Sequence, residues 1–144
     1  RSDLALKAIE ELGGIESETG YPYRGQLDYC WYNSRKFVTK IKGVKTFRGS
    51  DKLMRLVANY GPVAVTIHRG DDSIHYESGI YTCSDEQKTW TDWVLIVGYG
   101  TDDQELGDYW IAKGSWSPSW GEDGYMRIKR GSCHAGNLVT IALF

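Results

Sequence analysis

The side chains in this sequence with the widest chemical range are three cysteines and three histidines. They are Cys30, Cys83, Cys133, His68, His75 and His134. A thiolate beside an imidazole is the pair that nucleophilic peptide cleavage uses, and the same side chains are zinc ligands. The sequence has no Cys-x-x-Cys, and its histidines do not fall at metal-ligand spacings. We therefore expect no metal site and no cofactor.

The odd number of cysteines predicts one internal disulfide and one cysteine whose partner lies outside the chain. This pattern is typical of an oxidising compartment. The chain opens with Arg1 rather than Met, which suggests a processed product whose targeting segment has been removed. We expect a secreted or a lysosomal or vacuolar protein.

Composition predicts one soluble globular domain over residues 1–144. The apolar fraction is 41% and the net charge is −2, which are ordinary values for such a protein. Lysine and arginine are spread along the chain, so we expect no nucleic-acid partner. No apolar run approaches the roughly 20 residues that a membrane span requires, so we expect no membrane partner either.

Two amphipathic helices are predicted. The first runs over Ser2–Leu12, with Ser2 as its cap and Gly13-Gly14 as its end. The second is capped by Ser50, carries its apolar stripe from Leu53 to Tyr60, and stops at Gly61-Pro62.

Strands dominate the rest of the chain. They are predicted at Phe37–Val44, Val63–His68, Gly79–Tyr81, Val94–Tyr99, Tyr109–Lys113, Tyr125–Lys129 and Leu138–Leu143. The unbroken apolar run from Val94 to Val97 predicts a strand that is buried on both faces. Antiparallel strands with a covering helix indicate an α+β fold with a barrel-like sheet.

Six motifs, in order along the chain, resemble the papain family of cysteine peptidases. They are Gly13-Gly14-Ile15 with Tyr21-Pro22-Tyr23, Tyr60 to Val65, Tyr76 to Tyr81, Val94 to Gly100, Tyr109 to Lys113, and the tryptophan-rich block from Ser115 to Tyr125. The resemblance covers nearly all 144 positions but only the second half of the family domain. It implies an antiparallel β-barrel domain preceded by the Ser2–Leu12 helix, with residues 1–25 coming from the helical-domain side. The half that carries the nucleophilic cysteine would be missing.

The resemblance also implies that the catalytic positions in this half are degenerate. The family's histidine follows Asn or Asp and precedes the buried strand, where this sequence has Trp93. An indole has no proton-accepting nitrogen, so it cannot serve as a general base. The family's asparagine stands between a lysine and a Ser-Trp pair, where this sequence has Gly114. We therefore expect no catalytic residue in this chain. We expect a groove rimmed by Thr66, Trp93 and Trp116, with the alternative that the side chain of Trp93 fills the groove.

The cysteines match non-catalytic positions of the same family. Cys83 and Cys133 resemble the pair that forms a disulfide in the barrel domain. Cys30 resembles a cysteine whose partner lies in the missing half, so it is expected to be unpaired or linked to another chain.

The resulting hypothesis is a catalytically inactive papain-like homologue with a binding or structural role in a larger assembly. Its expected partner is another polypeptide, with a peptide or protein segment as a further ligand. Two alternatives stay open. One is a chain of a two-chain cysteine endopeptidase whose nucleophile is on the other chain, and the other is a structural or storage subunit.

Overall fold

The computed structural model describes residues 1–83, 89–104 and 107–144. Within these ranges the helices are α1 (Ser2–Leu12) and α2 (Leu53–Tyr60). The strands are β1 (Gly43–Arg48), β2 (Val63–Gly70), β3 (Ile80–Tyr81), β4 (Thr89–Asp102), β5 (Gly107–Lys113), β6 (Tyr125–Lys129) and β7 (Leu138–Leu143). The α+β class and both helix ranges are thus confirmed. None of the described helices is long and apolar enough to cross a membrane.

The strands form one sheet in the order β1-β7-β2-β4-β5-β6-β3. In the described part of the chain this order has two ends, so the sheet is open where the sequence predicted a barrel. β3 also pairs with β6 in parallel, where an antiparallel sheet was expected. Because β3 has only two residues, it offers few backbone groups to a further strand, and the sheet ends there.

The chain divides into two compact units. The leading unit comprises Arg1–Lys45 with Ala142–Phe144, and the sheet unit comprises Thr46–Ile141. The assignment of residues 1–25 to the helical-domain side of a larger protein stays a prediction.

The leading unit is built around α1. Its N-cap is Arg1 rather than Ser2, and the guanidinium of Arg1 pairs with Asp3 at 2.7 Å. The helix ends as predicted at Gly13, which has a φ of 85° and donates its N–H to Glu10. The strand predicted from residue 37 begins only at Gly43. Before it, the chain forms a single bridge, from Ile15 to residue 39.

The sheet unit contains the core. α2 buries Leu53, Leu56 and Val57 on one face. Its N-cap is Lys52 rather than Ser50. Ser50 contributes only its backbone carbonyl, which accepts a hydrogen bond from the N–H of Leu53 at 2.9 Å. The helix therefore starts later than the predicted cap.

Strand β4 is buried on one face only, contrary to the prediction for its apolar run. Val94 and Ile96 are buried opposite Val65 and Val63 of β2, whereas Leu95 between them is 36% exposed. Alternation of this kind is what an antiparallel strand with one solvated face shows.

Candidate functional site

Trp93 and Thr66 lie opposite each other in the β2–β4 ladder. Trp93 is partly exposed. Thr66 is only 8% exposed, and its hydroxyl accepts a hydrogen bond from the N–H of Leu138 at 3.1 Å. Thr66 therefore connects β2 to the start of β7, and little of its surface is open to a ligand. Its role as a groove residue stays a prediction.

Gly114 follows the end of β5, where Lys113 is paired with Leu95 of β4. Its N–H donates to the carbonyl of Gly124 at 3.1 Å. The indole of Trp116 lies directly over Gly114. A Cβ placed on residue 114 would be 2.5 Å from Cζ3 of Trp116 and closer still to Cε3, nearer than van der Waals contact permits. Any side chain at position 114 would thus require Trp116 to move.

Trp116 belongs to a cluster of aromatic and cationic side chains. Its ring meets that of Trp120 with centroids 4.5 Å apart at 62°, an edge-on arrangement. The guanidinium of Arg69 lies 5.3 Å from the centroid of Trp116, within the range of a cation–π contact. Arg69, Ser73, Ile74, Trp116 and Trp120 line a cavity of about 110 Å³. This volume is suited to one small side chain rather than to a cofactor.

Arg69 is held in place from two sides. Its Nε donates to Asp92 Oδ2 at 2.6 Å, and one terminal nitrogen donates to the hydroxyl of Ser73 at 3.1 Å. Ser73 is buried, and its own hydroxyl donates to the carbonyl of Gly70 at 2.7 Å. The charge of Arg69 is therefore balanced by the residue that immediately precedes Trp93.

A second network supports the loop that carries Trp120. The ring of Tyr76 lies 5.5 Å from that of Trp120, and its hydroxyl donates to the carbonyl of Gly79 at 2.7 Å. Burial raises the pKa of Tyr76 above its usual value. Glu122 pairs with Arg127 at 2.7 Å, and hydrogen bonds from that guanidinium lower the pKa of Glu122. The loop is thus anchored by a neutral phenol and an ionised carboxylate.

The three cysteines comprise one disulfide-bonded pair and one free thiol. Cys83 and Cys133 form a disulfide, which confirms that pairing. Cys30 is a free and exposed thiol. In the leading unit it lines a cavity of about 290 Å³, whose other walls include Leu12, Ile15 and Phe37.

None of the three histidines is among the residues that line the cavity beside Trp116 and Trp120. His68 of β2 is opposite Thr91 of β4, and its ring centroid is 5.1 Å from that of His134. His75 ends the short 3-10 turn at Asp71–His75 and is exposed. Within residues 1–83, 89–104 and 107–144, no three or more His, Cys, Asp or Glu side chains form a group that could hold a metal.

The family model described as papain family cysteine protease matches residues 2–143. The chain belongs to the papain family. It is 40% identical over 148 residues to a cathepsin L-like protein of Caenorhabditis elegans, covering 99% of this chain and 43% of the relative. It is 36% identical over 146 residues to mouse cathepsin K, covering 97% of this chain and 43% of the relative.

Solved structures of papain-family proteins share the fold. Digestive procathepsin L 3 from the larval midgut of Tenebrio molitor superimposes with a TM-score of 0.86 at 35% identity. The match covers 99% of this chain and 48% of that one. The chain therefore spans less than half the length of the relatives that it matches.

The structure groups only one of the three predicted groove residues with the tryptophan cluster. Trp116 lines the cavity, whereas Trp93 and Thr66 are not among its lining residues. Sequence reasoning missed Arg69 as a site residue. A signal was available, because Arg69 continues the alternation of Val65 and Ile67 and so points to the core face of β2.

Proposed function

We propose that this chain is a catalytically inactive papain-like homologue that acts as a binding or structural part of a larger assembly. The observation that carries the proposal is the contact of Trp116 with Gly114. Papain-like catalysis needs a side-chain amide to orient the imidazole, and residue 114 has no side chain. The indole of Trp116 fills the space that such an amide would need.

The position proposed for the imidazole supports the same conclusion. Trp93 has one indole N–H donor and no acceptor nitrogen, so it can neither take nor return a proton during acyl transfer. Its neighbour Asp92 is committed to Arg69 at 2.6 Å. Loss of one triad member lowers the rate of a peptidase of this type by about four to six orders of magnitude, and further losses add little.

The proposal that the partner is another polypeptide rests on the leading unit. Its exposed apolar side chains include Leu4 on α1, Tyr23, Leu27 and Val38. Exposed apolar side chains of this kind could form part of an association surface if they lie in one patch. Since Cys30 is an exposed thiol within the same unit, a disulfide to that partner is part of the proposal. A peptide or protein segment is the further ligand proposed.

A secreted or lysosomal location is part of the proposal as well. It is supported by the disulfide between Cys83 and Cys133, because structural disulfides persist in oxidising compartments.

The catalytic part is tested with the purified chain, a fluorogenic peptide substrate and a thiol-directed inhibitor of papain-family enzymes. We expect no turnover, and any labelling to be confined to Cys30 and absent from Cys30→Ser. Peptide turnover that the inhibitor abolishes would instead establish an active enzyme. With a second chain present in the preparation, it would establish the two-chain peptidase.

The assembly part is tested by mass spectrometry of native material under non-reducing conditions. We expect Cys30 to be linked to another polypeptide, and that link to disappear on reduction. A monomer in which Cys30 is free and fully alkylated would contradict this part and leave the catalytic part standing.

A further inference from the structure

The two histidine rings beside the disulfide have the separation that a shared metal ion requires. The centroids of His68 and His134 are 5.1 Å apart, and the ring planes are tilted by 54°, so the rings do not stack face to face. A zinc–nitrogen bond of about 2.0–2.1 Å places each ring centroid about 3.2 Å from the metal. Two rings at a tetrahedral angle then have centroids about 5.2 Å apart.

The backbone holds these two histidines together by several independent contacts. His68 lies on β2, and its N–H donates to the carbonyl of Cys133 at 2.7 Å. Cys133 is joined to Cys83, whose N–H donates to the hydroxyl of Ser132 at 2.8 Å. His134 directly follows Cys133 in the chain. The pair is therefore fixed by a strand, a hydrogen bond and a covalent link.

The local backbone is also strained at this point. Cys133 and His134 have φ angles of 55° and 47°, in the left-handed region that non-glycine residues rarely adopt. Two such residues in succession persist only where the surrounding structure enforces them, and they are often found at functional sites. Here the strained turn sets His134 beside His68.

We propose that His68 and His134 form a binding site for a zinc ion whose remaining positions are taken by water. Neutral imidazole is the ligand that Zn²⁺ and Ni²⁺ favour among the side chains available there. His134 is exposed and lines a surface cavity of about 440 Å³. His68 is not among the residues that line this cavity, but it is partly exposed, so both imidazoles are accessible to solvent. Lys129 and Arg130 line the same cavity, and their positive charge should weaken the binding of a cation. This site is independent of the proposed function.

The test is calorimetric titration of Zn²⁺ alone, at about pH 7.5, into the chain carrying Cys30→Ser to remove the free thiol. We expect one ion per chain. His68→Asn and His134→Asn should each weaken zinc binding by about tenfold or more. Each variant leaves only one imidazole for the ion, so the gain from two ligands held in the same chain is lost. His75→Asn is the matched control and should bind as the parent does. Equal loss in all three variants, or no loss in the pair, overturns the proposal.

A second measurement guards against misfolding of the variants. Asparagine tolerates left-handed φ better than most residues, so His134→Asn should keep the turn, and its thermal midpoint and disulfide should match the parent. In the chain with all its histidines, Ni²⁺ should broaden the imidazole NMR signals of His68 and His134 at concentrations that spare His75. Signals from all three that broaden together, or not at all, contradict the site.

Discussion

Apolar side chains are placed in opposite ways in the two units. In the sheet unit, Ile96 and Ile141 are almost completely shielded from solvent, whereas in the leading unit Leu27 and Tyr23 are almost fully exposed. Among the described residues, every buried apolar side chain belongs to the sheet unit. Burial of apolar area is the main favourable term in folding, so the stability of the chain should reside in the sheet unit. The leading unit carries apolar surface suited to a partner.

The largest effect is expected from removing the disulfide of the sheet unit. Replacing Cys83 and Cys133 together by serine opens a loop with a sequence separation of 50. In the chain-entropy model this lowers the free energy of unfolding by about 4 kcal/mol. Guanidinium denaturation measures it. Cys30→Ser in the leading unit is the control and should cost under about 0.5 kcal/mol. A similar cost for Cys30→Ser would break the contrast between the units.

A core truncation should have the next largest effect. Ile96→Ala leaves a cavity beneath β4 at a side chain with 0% exposure, and it should cost about 3 kcal/mol of unfolding free energy. Leu27→Ala removes a similar aliphatic group from the leading unit and should cost under about 0.5 kcal/mol. Urea titrations of both variants give the comparison. Comparable losses would show that the leading unit has a core of its own.

The smallest effect concerns the ion pair of Glu122 and Arg127 within the sheet unit. The pKa of Glu122 is depressed, so its stabilisation is present above the ordinary glutamate value and is lost as pH falls through the depressed folded value. Glu122→Gln should therefore lower the unfolding free energy by about 1–2 kcal/mol at neutral pH. Urea unfolding measured from neutral pH downward tests this, since the difference between the two proteins should shrink as pH falls through the depressed folded pKa of Glu122. A difference that persists at low pH would point to packing rather than charge.

Local signals in the sequence were sufficient for the extent of the helices but not for their N-caps. The apolar stripe and Gly13 predicted α1 correctly, since the end of a helix depends on nearby residues. They wrongly predicted Ser50 as the N-cap of α2, which is Lys52. A hydroxyl suited to capping does not by itself show at which residue the helix begins in the folded protein. The exposure of Leu95 was missed for a different reason. Periodicity alone does not tell an apolar run buried on both faces from one buried on a single face.

Contacts between distant residues were beyond sequence reasoning. Nothing local to His68 indicates that His134 will lie beside it, because that contact depends on the disulfide and on the β2 register. The same holds for Arg69 over Trp116, which joins strand β2 to the loop after β5. Spacing along the chain predicts that two side chains will be in contact only when both lie on the same helix or strand.

The packing of Trp116 on Gly114 also determines the order in which substitutions at these two positions can be made. An asparagine introduced first at position 114 would collide with the indole, so the substitution would be tolerated only after a smaller residue replaced Trp116. That earlier change would in turn remove the surface on which the Arg69 guanidinium rests. A route toward an amide at this position therefore passes through a less well-packed intermediate, which makes the present arrangement difficult to reverse one residue at a time.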